Sequence, residues 1–189
     1  MASTKIRLCT ASPASQATTA KTLSQLSQLA RRVATAGCDI LLLPEAYIGG
    51  YPRGADFGCV VGGRSAEGRD AYLRYFRDAV DLGDIVGDGG AGGGGAWVRR
   101  EKGASTGAGE AAEEAPSRGD GTREELERIA KESGVFLVVG CIEKAGGSLY
   151  CAVVYVCPKL GAIGKRRKVM PVSNSYDADN PWLGVYGFG

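Results

Sequence analysis

The spacing of apolar and polar residues along this 189-residue chain predicts alternating strands and helices. Ile6 and Leu8 alternate with polar residues, which indicates a first strand. Residues 16–36 carry apolar side chains at spacings of three and four, as one face of a helix does, and residues 65–80 repeat that pattern. Residues 40–43 are all apolar, which is typical of a strand buried on both faces. This order predicts an α/β fold with a largely parallel sheet.

The pattern breaks between Gly83 and Gly121, where 13 of 39 residues are glycine. Few apolar side chains are present there, so the segment cannot bury enough surface to offset its ordering entropy. We therefore predict a disordered, glycine-rich surface insertion at about 84–121. A phosphate-binding loop is disfavoured, because no Gly-Lys-Ser/Thr sequence follows and no strong strand precedes.

Regular structure is predicted again after this insertion. Thr122 and Glu125 have the spacing of a capping box, which predicts a helix that starts there. Residues 135–142 and 149–156 are strongly apolar strands, joined by a short turn at Gly146 and Gly147. Two strands joined by so short a turn must be antiparallel, so the complete sheet is predicted to be mixed.

Charge and hydropathy indicate a cytoplasmic protein. The 23 basic and 21 acidic residues nearly balance, which gives no reason to expect a nucleic-acid partner. The N-terminus lacks the apolar stretch of a signal peptide, and no apolar run is long enough to span a membrane. A basic cluster at 165–168 could bind nucleic acid, but interleaved aromatic residues would be needed and are missing.

The absence of histidine restricts the chemistry available to this chain. Ser-His-Asp and Cys-His catalysis are excluded within it, as are zinc sites that contain histidine. We expect no cofactor and no metal. The six cysteines form no C-x-x-C pair and are expected to be reduced thiols, mostly in the core.

Two charged residues are candidates for catalysis. Glu45 follows the buried strand 40–43 and precedes a glycine-rich turn, as a catalytic acid at the carboxyl edge of a sheet would. Taken alone, it could equally be a helix cap or an ion-pair partner. Lys168 ends the basic cluster, which taken alone is typical of a solvated patch or a localisation signal.

The contexts of these two residues resemble the nitrilase branch of the carbon–nitrogen hydrolases. Residues 37–52, GCDILLLPEAYIGGYP, are similar to its glutamate motif, with Leu43 where isoleucine or phenylalanine is expected. Residues 138–151 are similar to its central hairpin. Residues 164–171, GKRRKVMP, are similar to its lysine motif, with Arg166 where histidine is usual. The resemblance covers about 5–83 and 122–171.

The resemblance implies a fold and a mechanism. Residues 1–171 would form an incomplete half of a four-layer α-β-β-α sandwich with a mixed sheet, and residues 172–189 a tail outside the family pattern. The substrate would be a small nitrile or a related molecule, hydrolysed by a Glu-Lys-Cys triad to a carboxylic acid and ammonia. Glu45 would be the general base and Lys168 would stabilise the transition state. The full-length protein would be a homo-oligomer. Nitrilase and cyanide hydratase activities both stay open.

The nucleophilic cysteine of the resemblance is expected well beyond the lysine motif and is absent from this chain. Cys141 and Cys151 lie within predicted strands, and Cys157 ends one. Cys59, in a loop, is the least unsuitable substitute. Val172 and Ser173 could be encoded by the consensus start of an intron, so the tail could be translated intron sequence.

We therefore predict a nitrilase-family hydrolase that is inactive and poorly soluble as this chain. The alternative is a non-catalytic remnant that binds or regulates a full-length nitrilase oligomer.

Overall fold

A computed structural model of the protein describes residues 5–52, 59–60, 63–83 and 119–168. Its elements in chain order are β1 Leu8–Thr10, α1 Thr19–Thr35, β2 Ile40–Leu42, β3 Cys59–Val60, β4 Gly63–Arg64, α2 Ala66–Asp78, α3 Thr122–Ser133, β5 Phe136–Ala145, β6 Ser148–Cys157 and β7 Gly161–Arg167. The predicted strands and helices are thus present in the predicted order. Strands β3 and β4 form a separate antiparallel pair.

The main sheet has five strands in the order β1-β2-β5-β6-β7. The pairs β1–β2 and β2–β5 are parallel, whereas β5–β6 and β6–β7 are antiparallel. Residues 11–39 and the stretch between β2 and β5 carry the helices that connect the parallel strands, whereas short turns connect the antiparallel ones. The prediction of an α/β fold with a mixed sheet is confirmed.

Helices α1 and α3 cover one face of this sheet, which we call the helix face. Helix α1 starts at Thr18, whose side chain accepts a hydrogen bond from the N–H of Lys21. Its apolar stripe packs with that of α3 against alternate residues of the strands, and the fully buried members include Leu26, Ala30, Ile129, Leu137, Val139 and Val154. Apolar burial of this kind supplies most of the stability of a small domain.

The capping box predicted at the start of α3 is wrong. The N-cap residue is Gly121, which makes no side-chain capping bond, and Thr122 is the first residue of the helix. The N–H of Thr122 instead donates to Asp120 Oδ1 at 3.0 Å. Asp120 thus accepts a hydrogen bond from a free N–H group of the first turn, and the side chains of Thr122 and Glu125 are not needed to cap the helix.

We call the second face of the sheet the open face, because the residues that the structure describes cover it at one end only. Ala46, Ala79, Ile142 and Leu149 form a small core there, with aromatic residues of α2 packed against it. Leu42, on the same face of β2, is 39% exposed. The prediction that this strand is buried on both faces is therefore wrong for the described residues.

Two hydrogen bonds join Asp81, just before the predicted insertion, to Asp120 near its C-terminal end. The N–H of Asp81 donates to Asp120 Oδ2 at 2.9 Å, and the N–H of Asp120 donates to the Asp81 carbonyl at 3.0 Å. Residues 84–118 of the predicted insertion, like the predicted tail 172–189, lie outside the described residues. Within the described part of the chain, no helix is long and apolar enough to cross a membrane.

Candidate active site

Glu45 lies in a loop that interrupts the pairing of β2 with β5. The N–H of Leu43 donates to the Val138 carbonyl at 2.9 Å, and pairing resumes where the N–H of Ile48 donates to the Gly140 carbonyl at 3.1 Å. Four residues lie between these two bonds on one strand and a single residue on the other. The extra residues leave the ladder and cross the open face of the sheet, and they carry Glu45 with them.

Gly140 makes this crossing possible. An added Cβ at Gly140 would lie 2.2 Å from the carbonyl oxygen of Pro44 and 2.8 Å from Cα of Glu45. Both are backbone atoms of the loop and cannot rotate away as a side chain can. The absence of a side chain on β5 therefore sets how closely the Glu45 loop approaches the sheet.

Tyr47 anchors the other end of the loop. Its side chain is 1% exposed, and its hydroxyl lies 2.9 Å from Gln25 Oε1 and 3.2 Å from the Thr22 carbonyl oxygen on α1. Ser15 Oγ donates to the Tyr47 carbonyl at 2.8 Å. Burial raises the pKa of Tyr47 to about 12. Ala46, next to it, has a left-handed φ of 54°, so the loop is held by its neighbours in a conformation that alanine disfavours.

The basic cluster 165–168 is divided between the two faces of the sheet. Successive side chains of a strand point to opposite faces, and Lys165 pairs with Val154, a residue of the helix face. Lys165 and Arg167 therefore lie on the helix face, whereas Arg166 and Lys168 lie on the open face. Their four charges do not form a single solvated patch.

The helix-face cations bind a buried carboxylate. Glu143 is 0% exposed and accepts hydrogen bonds from Lys165 Nζ and, at 2.8 Å, from Arg167 Nε. A second nitrogen of Arg167 donates to the other oxygen of Glu143 at 3.0 Å. The guanidinium group also lies 4.3 Å from the ring centre of Tyr150. These contacts fix the end of β7 immediately before Lys168.

Glu45 and Lys168 meet on the open face. Lys168 Nζ donates to Glu45 Oε1 at 3.0 Å across 123 residues of sequence. The side chains are 32% exposed for Lys168 and 48% for Glu45, so both remain accessible within the described structure. The N–H of Lys168 donates to the Cys151 carbonyl at 2.7 Å, which continues the β6–β7 ladder up to this residue.

An open cavity of about 310 Å³ surrounds this pair. It is lined by Leu43, Glu45, Gly140, Cys151, Ala152, Val153, Arg166, Arg167 and Lys168. The two charged residues singled out by sequence thus share one cavity with a thiol and further basic residues. Within the described part of the chain, no cluster of three carboxylate or cysteine side chains is arranged to hold a metal ion.

Cys151 lines the cavity and Tyr51 contacts it, and the sequence motifs assign neither residue to this site. Cys151 Sγ lies 3.3 Å from the Tyr51 hydroxyl. Burial is the main cause that raises the pKa of the Cys151 thiol; the hydrogen bond with Tyr51 lowers it, and the charge of Glu45 raises it. The hydrogen bond with Cys151 in turn raises the pKa of Tyr51.

The predicted hairpin is the sequence feature that could have assigned Cys151 to this site. In the hairpin register Cys151 faces Ile142, so it lies on the same sheet face as Gly140 and below the Glu45 loop. The five cysteines whose side chains are described are all free thiols; Cys141 is buried and the other four are partly exposed. Cys59 lies in β3, and its side chain is outside the described part of the structure.

Comparison with known proteins shows which family this chain belongs to. The family described as carbon–nitrogen hydrolase matches residues 5–186. An arylacetonitrilase of Trametes versicolor is 35% identical over 137 residues, which are 72% of this chain and 32% of that protein. Nitrilase 1 of Arabidopsis thaliana is 34% identical over 140 residues, which are 74% of this chain and 30% of that protein.

Among solved structures, an amidase from Nesterenkonia sp. is similar with a TM-score of 0.46 and 16% identity, over 88% of this chain and 44% of that one. The chain spans about a third of the length of the curated relatives it matches. The family match includes the predicted insertion and most of the predicted tail. The boundaries of the insertion and of the tail therefore stay predictions. This chain belongs to the carbon–nitrogen hydrolase family, in its nitrilase branch.

Proposed function

We propose that this chain carries two of the three reactive groups of a nitrilase centre, with Glu45 as the general base and Lys168 as the cation that stabilises the transition state. The observation that supports this most directly is the 3.0 Å contact between Lys168 Nζ and Glu45 Oε1 in an open cavity. Two residues 123 positions apart are held together on a face that buries neither of them completely. A carboxylate and an ammonium group at one accessible point can move a proton and stabilise a developing negative charge.

The proposed reaction begins when a thiol attacks the carbon of a nitrile. The thiol proton passes to Glu45, the sulfur bonds to carbon, and the nitrile nitrogen takes up a proton to give a thioimidate. Water then adds and ammonia leaves, which gives a thioester. A second water cleaves the thioester to the carboxylic acid and restores the thiol. Lys168 would donate a hydrogen bond to the tetrahedral species in both hydrolytic steps.

We further propose that the nucleophilic thiol is not one of the six cysteines of this chain. Cys151 is the described thiol that shares the cavity with Glu45 and Lys168. Its raised pKa keeps it protonated at neutral pH, and its hydrogen bond to Tyr51 ties it to the cavity wall. The chain alone is therefore expected to turn over no nitrile. The full-length protein is proposed to be a cytoplasmic homo-oligomer.

The first test is to sequence cDNA across the codons for Pro171 and Val172. A transcript that continues into a segment with a further cysteine would give a longer protein for assay. In that protein we expect Glu45→Gln and Lys168→Met each to lower kcat for a nitrile by about 100-fold or more. Glu67→Gln and Lys131→Met, which change exposed residues on α2 and α3, are the matched controls. A transcript that ends with Gly189, or full activity in either variant, would contradict the proposal.

The second test measures ammonia release from phenylacetonitrile and butyronitrile by the purified chain. We expect none. Ammonia release that is lost in Cys151→Ala and kept in Cys157→Ala would show that the chain has its own nucleophile, and the proposed role of an additional thiol would be wrong. Both cysteines lie in β6 and are partly exposed, which makes the two variants comparable.

An alternative is a non-catalytic remnant that binds a full-length nitrilase. The open face favours it, because Leu8 and Leu42 are 61% and 39% exposed and such apolar surface commonly marks an interface. The test adds the purified chain to an active nitrilase at increasing ratio. Loss of activity or a change of oligomer size, reversed by Leu42→Lys, would support the alternative; no effect on either would contradict it.

A further inference from the structure

Among the residues that the structure describes, Arg166 differs from its charged neighbours in having no protein partner. Lys165 and Arg167 bind Glu143 on the helix face, and Lys168 binds Glu45 on the open face. Within the described residues, the Arg166 side chain makes no hydrogen bond or ion pair, although it is exposed and lines the cavity with Glu45 and Lys168. A guanidinium group carries its charge at every pH at which proteins are stable.

The charges around the cavity therefore do not balance. Arg166 and Lys168 contribute two positive charges on the open face, and Glu45 contributes one negative charge. Arg167 also lines the cavity, but its guanidinium nitrogens bind Glu143 on the helix face. Among the described residues of the open face, one positive charge therefore remains without a carboxylate partner beside the proposed reaction centre. A ligand that carries a carboxylate would pair with this guanidinium group.

We propose that Arg166 binds a carboxylate carried by the substrate, so that this site accepts a small cyano-carboxylate in preference to a neutral nitrile. This rests on the proposed function, since it names the substrate class of the same site. The planar fork of a guanidinium group pairs with both oxygens of a carboxylate, which orients the ligand as well as attracting it. Arg166 and Lys168 lie two residues apart on the open face at the end of β7, so the carboxylate and the reacting carbon of one small molecule can reach them together.

Binding is measured first on the purified chain by ligand-detected NMR, which does not require a monomeric protein. The probes are 3-cyanopropanoate, butanoate and butyronitrile, which have similar size and differ in charge and in the nitrile group. We expect both anions to bind about five- to tenfold more tightly than butyronitrile, the gain of one exposed charge-assisted pair. Arg166→Gln is expected to remove this preference, and Arg166→Lys to keep part of it. Arg32→Gln, at an exposed arginine of α1, should leave it unchanged.

The outcomes separate this inference from the proposed function. Equal binding of the three probes, or a preference that survives Arg166→Gln, would overturn the role of Arg166. A preference for butanoate that Arg166→Gln removes supports that role even if no form of the protein hydrolyses nitriles. In a longer, active form, equal kcat/KM for 3-cyanopropanoate and butyronitrile would overturn the role of Arg166 and leave the nitrilase proposal standing.

Discussion

The two faces of the sheet hold their charges in different ways. On the helix face, Glu143 is fully buried and binds two cations, Lys165 and Arg167. On the open face, Glu45 and Lys168 form a single pair whose side chains are 48% and 32% exposed. A buried carboxylate depends on its partners because no water replaces them, whereas an exposed one exchanges partners at little cost. The first arrangement suits a fixed support, and the second suits a group that must meet a substrate.

The largest effect is expected from Glu143→Gln. The change leaves the buried cations without their carboxylate, so the free energy of unfolding should fall by about 3–5 kcal/mol. Urea unfolding followed by circular dichroism measures it, with Glu67→Gln on the surface of α2 as the control. A loss below about 1 kcal/mol would mean that the two faces do not differ as argued.

The next effect is expected from Gly140→Ala, which tests how the Glu45 loop is held against the sheet. The new Cβ would meet backbone atoms of Pro44 and Glu45, so the free energy of unfolding should fall by about 1–3 kcal/mol. Gly164→Ala is the matched control in the same sheet, because its Cβ would meet only a ring carbon of Tyr155 at 3.9 Å. If the two variants unfold at the same urea concentration, the loop is not held by close contact with Gly140.

A smaller effect is expected from Tyr47→Phe, which removes the hydroxyl that anchors the loop to α1. The loss of its hydrogen bond should cost about 1 kcal/mol at neutral pH. The pKa of Tyr47 is raised from 10.0 to about 12, so the folded state holds this proton more tightly than the unfolded state. Its contribution is complete below pH 10 and is lost as the pH rises toward 12.

Melting temperatures between pH 8 and pH 11 test the pH dependence. The protein should lose stability above pH 10 more steeply than Tyr47→Phe does. Parallel curves for the two proteins would show that Tyr47 is not the group responsible.

The smallest effect on stability is expected from Glu45→Gln. Because the pair with Lys168 is exposed and screened by solvent, its loss should change the free energy of unfolding by less than about 1 kcal/mol. In 1 M NaCl the difference should shrink further. A change as large as that of Glu143→Gln would make Glu45 a structural residue and would weaken the proposal that it serves catalysis.

Much of the architecture could be predicted because it depends on local patterns. The apolar residues within 16–36 fall on one face when this segment is a helix, which is how α1 buries them. The short turn at Gly146 and Gly147 forces β5 and β6 to be antiparallel. Helix α3 starts at Thr122 as predicted, but the predicted cap is wrong, because an upstream aspartate supplies a hydrogen bond to the first turn that the capping box was expected to make. The burial of β2 was also misjudged, since a run of apolar residues does not show which layers are present to cover it.

The candidate site shows the same limit. Glu45 and Lys168 stood out in the sequence through their motifs, but Cys151 and Tyr51 did not, because their contact joins residues 100 positions apart. The sequence also does not show that Gly140 lies close to Pro44. A glycine within an apolar strand indicates close approach of something, and only the fold shows that it is the loop carrying Glu45.

The sequence by itself determined the order of strands and helices, the mixed sheet and the two motifs of the carbon–nitrogen hydrolase family, because periodicity and motif are properties of neighbouring residues. The tertiary structure decided which charges are buried and which are available. Residues 165–168 look like one basic patch in the sequence, and strand alternation sends two of them to Glu143 and two to the cavity of Glu45. Whether a charge supports the fold or faces a ligand depends on which side of the sheet is covered, and distant parts of the chain provide that cover.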